Sequence, residues 1–345
     1  MTLAETLGIE RPIIQAPMAG VQGSELAIAV CNAGGLGSLP CAMLDAETMS
    51  AEISRIKGQT AQPFNVNFFC HTPPVIDAAR ELRWREALKP YFEELGLNVD
   101  EIKPGPGRQP FSAEIADVLA EFKPPVVSFH FGLPAPELVD RVKSWGAKVL
   151  VSATTVDEAV WLESRGADVI IAQGTEAGGH RGSFLSNDLS LQMGTFALVP
   201  QVVARVKVPV VAAGGIATAQ EVAAVMNLGA AGVQVGTSYL LCPEVSSTAI
   251  HRAALKSEAA RHTAITNVFT GRPARGIVNR LIREQGPINE TAPQFPMAAA
   301  ALAPLRSYVE AQGAGDFSSM WAGQNTTGCR EVSAAVLTQE LVSGL

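Results

Sequence analysis

This sequence has few cysteines, and it lacks long apolar runs and a leader-like N-terminus. Only five of its 345 residues are cysteines, and no two of them form a C-x-x-C pair. An odd number of widely spaced cysteines favours neither a zinc site nor a disulfide framework, and it is typical of a reducing compartment. No apolar run reaches the roughly 20 residues of a membrane-spanning helix, and no basic region precedes an apolar one at the N-terminus. We therefore expect a cytoplasmic protein with no membrane partner and no bound metal.

Charge is also scarce, and its sign excludes one class of partner. Charged residues make up 17% of the chain and sum to a formal net charge of −7. Without a basic cluster or interleaved aromatic and basic residues, a nucleic-acid partner is not expected. An anionic cofactor remains compatible with this charge, because backbone amides and helix N-termini bind phosphate without lysines. Nothing in the sequence indicates an oligomer.

What the chain does have is a regular alternation of short apolar runs and helix-like segments. Hydrophobic residues make up 47% of it, which is ample for a sizeable core. Thr-x-x-Glu capping boxes at Thr155 and Thr218 open two helices, and Gly166 and Gly229 close them. Candidate strands start near Pro12, Leu36, Phe64, Val126, Val149, Val169, Val208 and Val233. Eight such strands predict an α/β fold of the (β/α)8 TIM-barrel type. A doubly wound open sheet is the rival, but no G-x-G-x-x-G follows the first strand.

The spacing of the strands also predicts the domain boundaries. We expect residues 1–242 to form the barrel, with a helical insertion at about 69–123 that contains Pro73-Pro74 and Pro104-Gly105-Pro106-Gly107. Residues 243–345 are too many for one closing helix. We predict that they form a helical cap over the barrel mouth and a closing segment that packs on the barrel.

One histidine is expected to carry chemistry. The apolar run 126–131 delivers His130 to the end of a predicted strand, just before a Gly/Pro turn. Active-site residues of α/β barrels lie at such ends, so we predict that His130 is catalytic; a hydrogen-bonded core histidine is the alternative. For His180, a chemical role and a loop-structuring role are equally expected. For Trp321, contact with the substrate and packing within the cap are equally expected. The remaining polar candidates are expected to be structural, namely Glu176 as a loop carboxylate and His71, His251 and His262.

Amide side chains and glycines gather at the other strand ends. Asn67 and Gln173 offer the donors and acceptors that a heterocycle with C=O and N–H edges needs. Glycines after the last two strands, with a helix that starts near Thr218, form an anion cradle where this fold binds phosphate. FMN, a ring system with a phosphate tail, fits this pattern well. Two alternatives remain open, in which Gly214-Gly215 is only a tight turn and the amides bond loop backbone.

These segments together resemble nitronate monooxygenases, formerly called 2-nitropropane dioxygenases. The resemblance rests on Gln15-Ala16-Pro17-Met18-Ala19-Gly20, Asn65-Val66-Asn67, Ser128-Phe129-His130-Phe131-Gly132, the 172–182 segment, Ala213-Gly214-Gly215-Ile216 and Gln234-Val235-Gly236-Thr237, and it extends to about Gln324. FMN-dependent NADH:quinone reductases and enoyl-acyl-carrier-protein reductases share the glycine motifs. The Ser-Phe-His-Phe-Gly motif is the discriminating one, and it resembles the class I enzymes.

The resemblance implies an FMN-dependent oxidation of alkyl nitronates by O2, through a flavin semiquinone, to carbonyl products and nitrite. Propionate 3-nitronate is the implied type of substrate, and His130 would be the catalytic histidine. The residues that would contact FMN are Pro17, Met18, Asn67, Gln173, Gly178, Gly214, Gly215, Gln234, Val235, Gly236 and Thr237.

Two other functions are kept as alternatives. An NAD(P)H-dependent reductase of quinones or enoyl thioesters has the same fold, but those relatives generally lack a histidine at the position of His130. A catalytically silent flavin-binding barrel or a sugar-phosphate barrel is the other. An isomerase-type barrel would have charged residues at several strand ends, where this chain has amides, glycines and one histidine.

Overall fold

Parallel strands form the centre of the structure, a computed structural model that describes residues 2–103, 105 and 107–345. The strands of this part of the chain are β1 (Ile13–Gln15), β2 (Gly37–Pro40), β3 (Phe64–Phe69), β4 (Val126–His130), β5 (Lys148–Ala153), β6 (Val169–Gln173), β7 (Gly179–His180), β8 (Val210–Ala213), β9 (Gly232–Val235), β10 (Thr263–Thr266) and β11 (Ala274–Ile277). Eight of them pair in the order β1-β9-β8-β6-β5-β4-β3-β2, all in parallel. The Gln15 amide donates to the Leu36 carbonyl over 2.9 Å, which joins β1 to β2. The predicted (β/α)8 TIM barrel is confirmed.

Helices cover the outside of the barrel and build the cap. Their bounds are α1 (Leu3–Leu7), α2 (Ser24–Asn32), α3 (Ala46–Gln59), α4 (Ala78–Glu94), α5 (Ala113–Phe122), α6 (Pro136–Ser144), α7 (Val156–Glu163), α8 (Thr195–Val203), α9 (Ala219–Asn227), α10 (Ala249–Leu255), α11 (Arg280–Gln285), α12 (Ala298–Ala311) and α13 (Ala334–Leu341). In the described residues, no helix has the length and hydropathy of a membrane span.

Of the two predicted capping boxes, one forms completely and the other by half. At Thr218 the hydroxyl accepts from the Glu221 amide, and the Glu221 carboxylate accepts in return from the Thr218 amide. At Thr155 the hydroxyl accepts from the Glu158 amide. The buried Glu158 carboxylate instead accepts from the amides of Thr154 and Phe184, over 2.7 Å each. The predicted return bond from the Thr155 amide to the Glu158 carboxylate is therefore absent, because this carboxylate accepts from the loop that contains Phe184 instead.

The barrel interior is closed at its N-terminal end and open at its C-terminal end. Leu3 and Leu7 of α1 pack in one buried cluster with inward-facing strand residues such as Ile14, Val126 and Leu150. This packing fills the lower half of the barrel, as the fold requires. Space for a ligand is therefore left at the mouth, where the strand ends lie.

The insertion and the C-terminal segment share a second core. Trp84 and Leu88 of α4 are buried in one cluster with Leu302 and Leu305 of α12, and the Trp84 indole donates to the Ala298 carbonyl over 3.4 Å. Full burial of such side chains contributes about 1.5–3 kcal/mol each. Within 69–123 the described residues contain α4 and α5, and Pro104 and Pro106 lie outside the described residues.

Residues 243–345, which we expected to be helical, also contain strands. β11 pairs antiparallel with β10 and with β7 of the loop after β6. Leu337 and Leu341 of α13 pack in the main barrel core. The C-terminal segment therefore covers the mouth with mixed structure and adds a helix to the barrel wall.

Candidate active site

A cavity of about 570 Å³ opens at the C-terminal ends of the strands, under the cap. This volume lies in the usual range of ligand sites. The catalytic histidine and all the cofactor residues predicted from the sequence line it, namely Pro17, Met18, Asn67, His130, Gln173, Gly178, Gly214, Gly215, Gln234, Val235, Gly236 and Thr237. Their common location is observed, and their roles stay predictions.

His130 ends β4 with both ring nitrogens in hydrogen bonds. Nδ1 lies 3.1 Å from the Ser152 hydroxyl, and Nε2 lies 3.1 Å from the His180 carbonyl. Because a carbonyl only accepts, Nε2 carries the hydrogen and, in the neutral ring, Nδ1 accepts from Ser152. Burial lowers the pKa of His130 to about 4, and the guanidiniums of Arg272 and Arg181 act in the same direction. The imidazole is therefore neutral near pH 7.

Acid is expected to destabilise the folded protein through His130. Its pKa of about 4 lies below the ordinary 6.5, so its contribution to the free energy of unfolding is complete above pH 6.5. That contribution is lost as the pH falls from about 6.5 to about 4, because the unfolded state takes up the proton before the folded state does. Circular dichroism melts between about pH 7 and about pH 4 measure the loss as a fall in Tm. In His130→Asn the Tm should fall less steeply, and parallel curves for the two proteins would refute the assignment.

Two charged side chains hold the loop after β6. The buried Arg181 guanidinium donates to the carbonyls of Gly174 and Gln173, over 2.7 and 2.8 Å. The Glu176 carboxylate accepts from the amide and hydroxyl of Thr195. Both groups are bonded to protein, and Glu176, which also lines the cavity, holds the loop as expected from the sequence.

The two predicted amide contacts differ in what they leave free. Gln173 donates to the His180 carbonyl over 3.0 Å and accepts from the Gly182 amide over 2.8 Å. Its side chain thus follows the alternative in which it bonds loop backbone. Asn67 donates to the Ser128 hydroxyl over 2.9 Å. The Asn67 side-chain oxygen Oδ1 accepts from no group in the described ranges, so Asn67 keeps an acceptor at the cavity.

Glycines form a concave wall of backbone amides after β8 and β9. Gly214 and Gly215 have φ angles of +121° and +74°, which glycine adopts without strain. In the part of the chain that the structure describes, the amides of Gly215, Ile216 and Thr237 donate to no protein acceptor. The first amides of α9 are occupied by its own capping box. An anion would therefore meet the amides before α9 rather than the helix end.

The cap touches this wall closely. A Cβ on Gly178 would lie 2.6 Å from the Gly323 nitrogen, and the Gly323 amide donates to the Thr237 hydroxyl over 2.9 Å. Asn325 donates to the Gly215 carbonyl over 3.0 Å. Sequence reasoning placed the segment around Trp321 in the cap but did not predict these contacts of Gly323 and Asn325, because their partners lie far away in the chain.

Aromatic rings close the opposite side of the cavity. The His180 ring lies 5.3 Å from Phe295 and 5.4 Å from Trp321, and its Nε2 is 2.8 Å from the Thr270 hydroxyl. Burial lowers the pKa of His180 to about 3. His251, which we expected to be structural, also lines the cavity. Ser152 was missed, although its position at the end of β5 was a signal.

The comparisons with known proteins agree with this site. A family model described as "Nitronate monooxygenase" matches residues 1–344. A nitronate monooxygenase of Pseudomonas aeruginosa is 44% identical over 98% of this chain and 97% of its own length. One from Paraburkholderia phytofirmans is 40% identical over 98% of this chain and 93% of its length.

Solved structures extend the likeness to three dimensions. Nitroalkane oxidase from Streptomyces ansochromogenes has a TM-score of 0.89 at 38% identity, covering 99% of this chain and 96% of its own. FabK from Thermotoga maritima has a TM-score of 0.74 at 27% identity, covering 99% and 95%. By its sequence match over almost the whole chain, this protein is an oxidoreductase that belongs to the nitronate monooxygenase family.

Proposed function

We propose that this chain is an FMN-dependent enzyme that oxidises alkyl nitronates with O2 to carbonyl products and nitrite. One observation carries the proposal, which is that His130 shares its cavity with the backbone amides of Gly215, Ile216 and Thr237, which donate to no protein acceptor in the described residues. Membership of the family supports nitronates as the reacting group, with propionate 3-nitronate as the type of substrate.

The residues of the cavity fit FMN. The amides of Gly215, Ile216 and Thr237, which donate to no protein acceptor in the described residues, suit the three acceptor oxygens of a phosphate. Pro17 and Met18 supply a surface next to Gly236 for the ring. FMN supplies the electron-accepting ring, whereas the protein supplies placement, electrostatics and oxygen access.

A nitronate is already an anion, so the protein has to balance a negative charge rather than remove a proton. An anion that approaches the neutral His130 raises its pKa, and the added proton can only go to Nδ1. The Ser152 hydroxyl then turns to accept from Nδ1. Arg272, whose guanidinium lies 4.0 Å from the Phe131 ring centre, adds to the positive field. His130 is thus a charge partner for the nitronate.

Anaerobic mixing of the purified holoenzyme tests the proposal. The flavin absorbance should change rapidly with propionate 3-nitronate and stay unchanged with NADH in a parallel sample. Admission of O2 should then give nitrite and restore the starting spectrum. Bleaching by NADH without a response to nitronate would make the chain a reductase of the same fold. A protein that binds no flavin even after incubation with FMN would refute the cofactor.

A further inference from the structure

The imidazole of His130 is held by two hydrogen bonds and by the close packing of Gly182. Its nitrogens bond Ser152 and the His180 carbonyl at 3.1 Å each. A Cβ on Gly182 would lie 2.9 Å from His130 Cε1 and 3.0 Å from Ser152 Cβ. The Gly182 amide is itself fixed by Gln173. Both ring nitrogens of His130 are therefore bonded to protein groups, and Gly182 packs closely against the ring.

The neutral ring therefore has no free acceptor. Nε2 carries the hydrogen that is donated to the His180 carbonyl, so the single lone pair is on Nδ1 and meets the Ser152 hydroxyl. A general base has to reach the proton that it removes, within hydrogen-bond distance. Ser152 is buried on β5 and makes no other side-chain hydrogen bond in the described residues.

We propose that Ser152 is a positioning residue that fixes the Nε2–H tautomer of His130 and withholds its Nδ1 lone pair from the substrate. The inference rests on the proposed function and deepens it. Removal of a proton from a neutral nitroalkane would break the Cα–H bond, place the proton on Nδ1 and leave the electron pair in the C=N bond of a nitronate. With Ser152 in place this step is suppressed, whereas a nitronate needs no such step.

Charges around the ring favour the same outcome. The Arg272 and Arg181 guanidiniums both oppose an imidazolium, and the neighbouring His180 is neutral. Glu158, the carboxylate that acts on both arginines, is occupied by the amides of Thr154, Phe184 and Leu185. Only an anionic substrate supplies the charge that stabilises a proton on Nδ1.

The test compares Ser152→Ala with Ser152→Thr, which keeps a hydroxyl, and with Ser144→Ala as a control outside the cavity. The exposed Ser144 hydroxyl at the end of α6 donates to the Arg141 carbonyl. Each holoenzyme is assayed with nitroethane and with preformed ethyl nitronate. In Ser152→Ala, kcat/KM for nitroethane should rise about tenfold or more, because general-base catalysis becomes available. Ser152→Thr should keep the low nitroethane value of the wild type, and Ser144→Ala should keep the wild-type values for both substrates. An unchanged or lower nitroethane value in Ser152→Ala would overturn the proposal.

Nitrogen-15 NMR of histidine-labelled holoenzyme gives a readout that is independent of turnover. The His130 signals, assigned by their loss in His130→Asn, should show a hydrogen-bonded acceptor at Nδ1 and a donor at Nε2. In Ser152→Ala the Nδ1 shift should move towards that of a free lone pair. A hydrogen on Nδ1 of the wild-type protein near pH 7 would overturn the inference. If the wild type oxidises no nitronate, the proposed function fails, and the tautomer is still decided by the spectrum.

Discussion

Replacement of His130 by asparagine is expected to lower nitronate turnover about a hundredfold or more while flavin binding is retained. Asparagine keeps a polar side chain at the end of β4 but cannot take up a proton. The charge of the bound nitronate would then lack its partner beside the flavin. The amides that we assign to the phosphate lie in the segments after β8 and β9, away from His130 at the end of β4, so the protein should remain yellow. Steady-state kcat and the flavin-to-protein absorbance ratio measure the two effects separately.

His180→Asn is the matched control for this variant. It removes the other half-buried imidazole of the cavity, yet it keeps the backbone carbonyl that accepts from His130. We expect a smaller loss of turnover than in His130→Asn. Wild-type turnover in His130→Asn would remove this histidine from the mechanism. Equal losses of turnover in the two variants would show that His130 has no role that His180 does not share.

Replacement of Gly215 by aspartate is expected to abolish FMN binding. The residue has a φ of +74°, and its amide belongs to the wall that we assign to the phosphate. A carboxylate at this position brings a like charge to the phosphate and competes for the same amides. Its Cβ would lie 3.5 Å from Glu176 Cβ, an ordinary contact, so the side chain itself has room. Flavin content after gel filtration and the Kd from fluorescence quenching measure the result.

Gly215→Ala separates charge from backbone strain at the same position. Alanine suffers the same unfavourable φ without adding a charge. It should therefore lose some stability and keep most of its flavin. Equal flavin loss in the alanine and aspartate variants would trace the effect to the backbone alone, and full occupancy in the aspartate variant would move the phosphate elsewhere.

The barrel could be predicted from the sequence because its strands are buried on both faces and read as continuous apolar runs. The helix ends could also be predicted, because Thr218, Gly166 and Gly229 cap helices through bonds and turns that involve only neighbouring residues. One strand start was placed too early, near Val208. Pro209 has no amide to donate to the ladder, so β8 begins at Val210.

For the candidate site, the positions of the residues could be predicted from the sequence, whereas their bonding partners could not. Strand ends of a barrel converge on one mouth, so residues such as Asn67 and Gly236 were placed correctly from strand order alone. Their bonding partners could not be predicted, because these come from distant segments. Gln173 bonds the loop that β11 holds by antiparallel pairing of Ala274 with His180. No local sequence pattern predicts the hydrogen bond from Gln173 to the His180 carbonyl, or the one from the Phe184 amide to Glu158.

The second core has a consequence for the order in which the enzyme is made. Trp84 of α4 bonds the carbonyl of Ala298, 214 residues later in the chain. At ordinary rates of synthesis, a ribosome needs about 10 to 40 seconds to add that many residues. During this interval the apolar face of α4 has no partner from the cap, and such faces promote aggregation. The eight strands of the barrel can therefore pair before α12 emerges, whereas the roof of the catalytic cavity and the wall helix α13 are added afterwards.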